Sequence, residues 1–180
     1  TMAHEAKLSL NVRPAIAQSL IQEGRLVSLI ASGVRDDLPS AVLATSGVRL
    51  NTYVAFMPPD NFSRPTPSTL FTAGRTSAFY ESAAWGNFTE TDTFYRVGPS
   101  TLENPFLASG WGLLAKDKGI YIVPSGCVVT SAALKIAGTL VKVSDDGTGR
   151  WEATTIESVA IGKVVDWEPS LDNYTFEKFV

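Results

Sequence analysis

Only one histidine, His4, and one cysteine, Cys127, occur in 180 residues. A nucleophilic triad needs a well-positioned base, and a lone imidazole in a terminal segment is poorly placed to be one. The same counts exclude a Cys/His zinc centre and an internal disulfide framework. Cys127 stands in a strand-like Cys-Val-Val, where it reads as a small buried apolar residue rather than an activated thiolate. Basic residues are also scarce: 15 Lys and Arg against 18 Asp and Glu give a net charge of −3 and a pI of about 5.2, without any Lys/Arg run. The attraction that drives non-specific binding to nucleic acid or anionic lipid is missing, so neither is expected as a partner. No apolar stretch approaches the roughly 20 residues that span a bilayer, and no signal-peptide pattern opens the sequence, so a soluble protein is expected.

Charge of either sign is in short supply. Charged residues make up 18 % of the chain, against roughly 25 % in ordinary soluble domains, while 44 % are hydrophobic and the mean hydropathy is +0.08. Such a chain has too few charges to cover its exterior, which points to apolar surface covered by other subunits or a partner. Its length suits one domain with its own core, needing neither metal nor disulfide.

The most informative stretch is Ile136 to Trp167. Val141, Val143, Ile161, Val164 and Val165 favour extended backbone, and Asp145, Asp146, Gly147 and Gly149 cluster where the chain must reverse. A hairpin is predicted, with Trp151 returning beside the first strand. Gly138 and Gly162 interrupt good strand sequence, as where a strand bends, bulges or meets another backbone. Gly24-Arg-Leu-Val-Ser-Leu matches Gly138-Thr-Leu-Val-Lys-Val, which would suit two related strands at opposite ends of one sheet system, but six residues are too few to establish a repeat and chance convergence on a strand pattern is the expected explanation.

Toward the N-terminus, Leu8, Leu10 and Val12 alternate with polar residues. This suits an arm that adds to a neighbour's sheet edge, or an edge strand of its own domain. Pro14 suits the first turn of a short helix carrying Ile16, Leu20 and Ile21, with Gly24 ending it. Further strands are expected over Ala41–Leu43 and Val48–Phe56, and again over Ile120–Val123 and at Cys127-Val-Val-Thr. Between them, residues 59–119 are rich in Pro, Ser, Thr and aromatics and read as a long loop-rich insertion. The aromatic ending Tyr174-Thr-Phe-Glu-Lys-Phe reads as a docking tail.

Candidate chemistry is thin. Asp145-Asp146-Gly147 lacks the alternating ligands and closing Glu of a calcium loop, and Gly147-Thr-Gly precedes no helix that could hold a phosphate. Glu81, Glu90, Asp92 and Glu103 lie among aromatics and leave open a paired-carboxylate glycosidase or a sugar-stacking surface. Interface or core packing is the commoner use of such aromatics, and Trp85, Phe88, Phe106 and Trp111 are therefore read as subunit-interface residues.

Gly138-Thr-Leu-Val-Lys-Val, the Gly-rich hairpin, Trp151-Glu-Ala-Thr and Val159-Ala-Ile-Gly-Lys-Val-Val together resemble the capsid decoration, or structural cement, proteins of tailed bacteriophages. Gly24-Arg-Leu-Val and Ala41-Val-Leu-Ala-Thr fit the same pattern, and about half of the chain is covered. The resemblance implies a mainly β protein with a small β-tulip or barrel-like core. It also implies a homo-oligomer, expected to be a trimer, that sits on the outside of the virion and clamps neighbouring major capsid subunits, with no cofactor and no catalysis. On this reading residues 24–58 and 120–168 form the core, 59–119 the insertion lobe and 169–180 the docking tail. Residues 1–23 form an arm whose Leu8, Leu10, Val12 and Ile16 touch the capsid. The protein would be soluble in the host cytoplasm before assembly. The competing expectation is a carbohydrate- or receptor-binding β module resembling a head fibre, with or without glycoside hydrolase activity.

Overall fold

The structure is a computed structural model that describes residues 12–31, 38–47, 49–56 and 112–180, together with the backbone of 4–7 and 106–107. The chain is mainly β. Within these residues the strands are β1 (His4–Lys7), β2 (Val12–Ala17), β3 (Ile21–Gln22), β4 (Leu26–Ile30), β5 (Ser40–Leu43), β6 (Tyr53–Phe56) and β7 (Phe106–Leu107), followed by β8 (Gly112–Lys116), β9 (Gly119–Pro124), β10 (Leu140–Val143), β11 (Trp151–Thr154), β12 (Gly162–Glu168) and β13 (Asn173–Lys178). Strands β2-β5-β4-β6-β8 close a barrel, β1-β9-β13-β12-β10-β11 form a six-stranded sheet, and β3 pairs with β7.

The two large sheets share one topology. In the barrel, taken in chain order, the first strand β2 pairs with the fifth, β8; β8 pairs with the fourth, β6; β6 pairs with the second, β4; and β4 pairs with the third, β5. The third then closes on the first in parallel, Ala17 opposite Ala41, and the Gln18 N–H donates to the Ala41 carbonyl at 3.0 Å. From β9 onward the pairings β9-β13, β13-β12, β12-β10 and β10-β11 repeat that order. Closure repeats as well: Val128, just past β9, forms a parallel bridge to Trp151, whose carbonyl accepts from the Val129 N–H at 2.8 Å. Strand β1 is the one member of the six-stranded sheet outside this repeat.

The short sequence match at Gly24 and Gly138 marks equivalent positions. Both glycines have positive φ, 91° and 90°, a conformation costly for residues with a Cβ. The Gly24 N–H donates to Ala55 at 2.9 Å and the Ala55 N–H returns to Arg25 at 3.0 Å; Gly138, Val164 and Thr139 make the same exchange at 2.8 and 2.8 Å. Registers then equate Ala41 with Trp151, Ala55 with Val164, and Ala115 with Phe176.

These equivalences explain how the units differ. Eight strands make a barrel just wide enough for side chains to fill, so a ring of five must use small residues inside. Ala15, Ala17, Ala41, Ala55 and Ala115 are accordingly buried there with Val27, Tyr53 and Leu113. In the second unit Trp151 and Phe176 replace two of those alanines and stack at 4.7 Å, with Tyr174 6.1 Å from Phe176. Burying each of these rings contributes up to about 4–6 kcal/mol on the usual area scale. The larger filling accounts for a closure that narrows to one bridge. Because strand side chains alternate, Leu26, Val54 and Phe56 point outward from the first barrel, where they join the second unit's core. Phe56 meets Tyr121 there at 5.8 Å.

Several expectations change. Residues 14–23 form no helix: Val12–Ala17 is a barrel strand and Gly24 turns the chain into β4. Pro14 is tolerated because Ile16 and Gln18, of the same strand parity, send their N–H groups toward Pro39 and Ala41, so its absent N–H faces the same seam before β5 begins. The barrel draws on residues beyond the expected core, namely Val12–Ala17 and Gly112–Lys116. The expected docking tail is a full strand, β13, between β9 and β12. Cys127-Val-Val supplies only a bridge after a 3-10 turn at Ser125–Cys127, whereas the 145–149 hairpin forms with Val143 opposite Trp151.

Gly149 sets the contact between the units. Its carbonyl accepts from the Leu26 N–H at 2.6 Å, and a Cβ added there would lie 2.2 Å from the Leu26 carbonyl oxygen. Gly147 also has positive φ but faces open space. In urea denaturation Gly147→Ala is expected to cost about 1–2 kcal/mol, the left-handed backbone penalty alone. Gly149→Ala should cost distinctly more; equal losses would mean that the close approach is unimportant.

Candidate functional site

Among the described residues, several chemistry-bearing side chains hold turns and junctions. In the acidic hairpin, Asp146 accepts from the Thr148 hydroxyl at 2.5 Å and the Thr148 N–H at 2.9 Å and pairs with Arg150. Its carboxyl is held well below the usual carboxylate range by the Thr148 hydroxyl first and then by Arg150. Asp145 pairs with Lys142 at 2.5 Å, and that bond lowers its pKa too. Both carboxylates thus serve the turn itself, and among the described residues no group of three His, Cys, Asp or Glu side chains could hold a metal.

Cys127 is buried, and its Sγ donates to the Glu23 carbonyl at 3.1 Å. Burial pushes the thiol up to about 12, against a smaller opposing effect of Arg25. It is an inert core thiol at neutral pH. Arg25 bridges the units by donating to the Thr148 carbonyl at 2.9 Å and the Gly126 carbonyl at 3.2 Å. Arg49 does the same toward Ala160 at 2.8 Å.

Among the described residues, Lys178 is a fully buried titratable group. Its side chain is fully buried at the end of β13, where it pairs with Asp117 at 3.1 Å, donates to the Val180 carbonyl and lies 6.0 Å from the Tyr53 ring centroid. Burial lowers its pKa, and Asp117 only partly opposes that.

The expected capsid-binding and interface residues are only partly brought into view. Val12 is 41 % exposed on β2, but Ile16 is buried at 6 % exposure, held in the barrel wall between β5 and β8, so it is not free to reach a partner. Leu8, Leu10, Trp85, Phe88 and Trp111 lie outside the described residues, as do Glu81, Glu90, Asp92 and Glu103. Phe106 is placed by its backbone alone, opposite Gln22. Of the tryptophans that could stack a sugar, Trp151 is wholly buried, and the Trp167 ring carries the Lys135 ammonium 4.3 Å from its centroid.

A different surface recurs instead. Leu20 and Leu50 are 46 % and 83 % exposed in the connections after β2 and β5; Ile136 and Ile156 are 62 % and 57 % exposed in the corresponding connections after β9 and β11. The first and third strands of each unit run parallel, so their following connections leave from the same end. Each unit therefore carries an apolar pair at the same end. The sequence pattern assigned Leu20 to a helix and Leu50 to a strand, whereas all four residues lie in connections between strands, where periodicity does not separate surface from core.

In comparisons with known proteins, no family model matches the chain, and no curated protein or solved structure matches it.

The Lys178–Asp117 pair yields an asymmetric test. The Asp117 side chain keeps 24 % of its exposure while that of Lys178 has none. Asp117→Ala leaves a buried ammonium without its partner and is expected to cost about 3–5 kcal/mol. Lys178→Met should be close to neutral, since water can serve Asp117. The folded Lys pKa lies below the unfolded one, so the unfolded state binds more protons between the two values and stability rises with pH there. The Asp117→Ala loss should accordingly shrink as pH climbs toward the ordinary lysine value of 10.5. Equal losses in the two variants, read by chemical denaturation, would refute this picture.

Proposed function

We propose that the protein is a non-enzymatic structural component of a phage head, attached to the outside of the assembled shell and stabilising contacts between major capsid subunits. The observation that carries this reading is the repeated apolar end: two units of one topology each leave a pair of large apolar side chains outside at corresponding connections. A duplicated contact surface suits a duplicated target, and neighbouring copies of one shell subunit are such a target. Bridging them adds the binding free energy to the cohesion of the lattice. Once one end is seated, the other binds at high effective concentration, so two weak contacts give strong attachment. Low overall charge and the sequence resemblance to decoration proteins support the same reading, as does the use of Asp146, Cys127 and Lys178 as structural groups. Further copies of the chain, expected as a trimer, would multiply the contacts.

Co-sedimentation with heads assembled without this protein tests the proposal. The native chain should bind intact heads saturably and bind free major capsid protein far more weakly. Leu50→Asp and Ile156→Asp, both at exposed positions, should each lower apparent affinity about tenfold or more, and the double variant should lose most of what remains, as expected for two linked contacts. Unchanged binding by the double variant, or no binding by the native chain, would overturn the proposal.

A further inference from the structure

The duplication provides an internal control for β1. Registers place Arg13 and Tyr121 at equivalent positions, because Arg13 lies opposite Ala115 and Tyr121 opposite Phe176. Pro14 of β2 is thus the counterpart of Ile122 of β9. In each unit the first strand meets the third only at its C-terminal end, which leaves the earlier half of that edge unused by the ring. In the first unit Pro14 blunts this half-edge, since it has no N–H to offer an incoming strand. In the second unit the same half-edge carries Ile120 and Ile122, and β1 pairs there antiparallel, His4 opposite Ile122 and Lys7 opposite Ile120. Among the described residues, β1 is thus a donor strand lying outside both units, and the β9 half-edge is the first-strand edge that accepts it. The donor belongs to neither ring, it pairs with no other strand among the described residues, and residues 8–11 join it to a strand of the other unit.

We infer that the β9 edge is a strand-acceptor site, and that in the assembled protein it takes the N-terminal strand His4–Lys7 of a second copy of this chain. The main-chain ladder is the same whether β1 comes from its own chain or from a neighbour, so exchange forfeits none of that pairing. A donor strand and an acceptor edge in every copy suffice for a reciprocal dimer or a closed ring, and Pro14 blunts the equivalent edge of the first unit. This deepens the proposed structural role by naming what joins neighbouring copies. Head binding is not part of its test, so the two proposals fail separately.

The test uses the full chain with His4→Cys and Ile122→Cys, whose Cα atoms face each other across the ladder within disulfide reach. Cys127 is buried and stays out of the reaction. Equal amounts of nitrogen-15-labelled and unlabelled protein are unfolded in urea, refolded together at micromolar concentration and oxidised. The disulfide-linked peptides are then read by mass spectrometry. Exchange predicts that about half of the peptides joining position 4 to position 122 combine one heavy and one light partner, as random pairing between copies requires, and that a non-reducing gel shows linked multimers. Peptides linked only heavy to heavy and light to light, in a monomer-sized band, would overturn the inference. Failure to form the 4–122 disulfide would overturn it too, because β1 would then not lie on β9.

Discussion

The indole N–H of Trp151 reaches out of the second unit and donates to the Gly24 carbonyl at 2.9 Å, in a buried position. That contact, with the neighbouring Leu26–Gly149 hydrogen bond, decides how the two units meet. Gly24 belongs to the turn that opens the first unit's second strand, β4, and Trp151 opens the third strand of the second. One side chain therefore fills a lumen, stacks on Phe176, lies beside the parallel closure and satisfies a carbonyl of the other unit. A buried carbonyl left unpaired costs about 1–3 kcal/mol, so the junction tolerates little change at either residue. Leu26, Val54 and Phe56 complete it by turning the outer wall of one barrel into the inner surface of its neighbour's core.

The two units show how one strand order accepts different fillings. Alanine at 41 and 115 lets five strands close into a barrel; with tryptophan and phenylalanine at 151 and 176, the first-to-third closure is reduced to one bridge. The half-edge of β9 in the second unit receives β1, while the corresponding edge of the first unit carries Pro14. Duplication followed by divergence of the filling would produce this pair, with one unit specialised for closure and the other for contact with further strands.

Much of the β architecture was legible in the sequence. The Asp145–Gly149 turn, the β-branched runs around Val141 and Val164, and the return of Trp151 beside Val143 follow from local preferences that tertiary packing reinforces. The short Gly-x-Leu-Val match was expected to be chance convergence, and the shared strand order shows instead that it marks equivalent positions. Backbone conformation and hydrogen bonding are kept at Gly24 and Gly138, whereas the lumen residues that would extend the match differ as far as alanine from tryptophan. Pro14 misled in the other direction: its preference for a first helical turn lost to pairing with β8, where its missing N–H does no harm. The apolar pairs at Leu20, Leu50, Ile136 and Ile156 were hidden, because an apolar residue in a turn has no sequence period to distinguish surface from core.

The central claim is that two like units are locked into one cooperative body through Trp151. Native-state hydrogen exchange tests it at the equivalent amides of Ala55 and Val164, which donate to Arg25 and Thr139. Their opening free energies should be equal in the native chain and should fall together, by about 1–3 kcal/mol, when Trp151→Phe removes the donor to Gly24. Loss of protection at Val164 with Ala55 unchanged would show two independent units and contradict the claim.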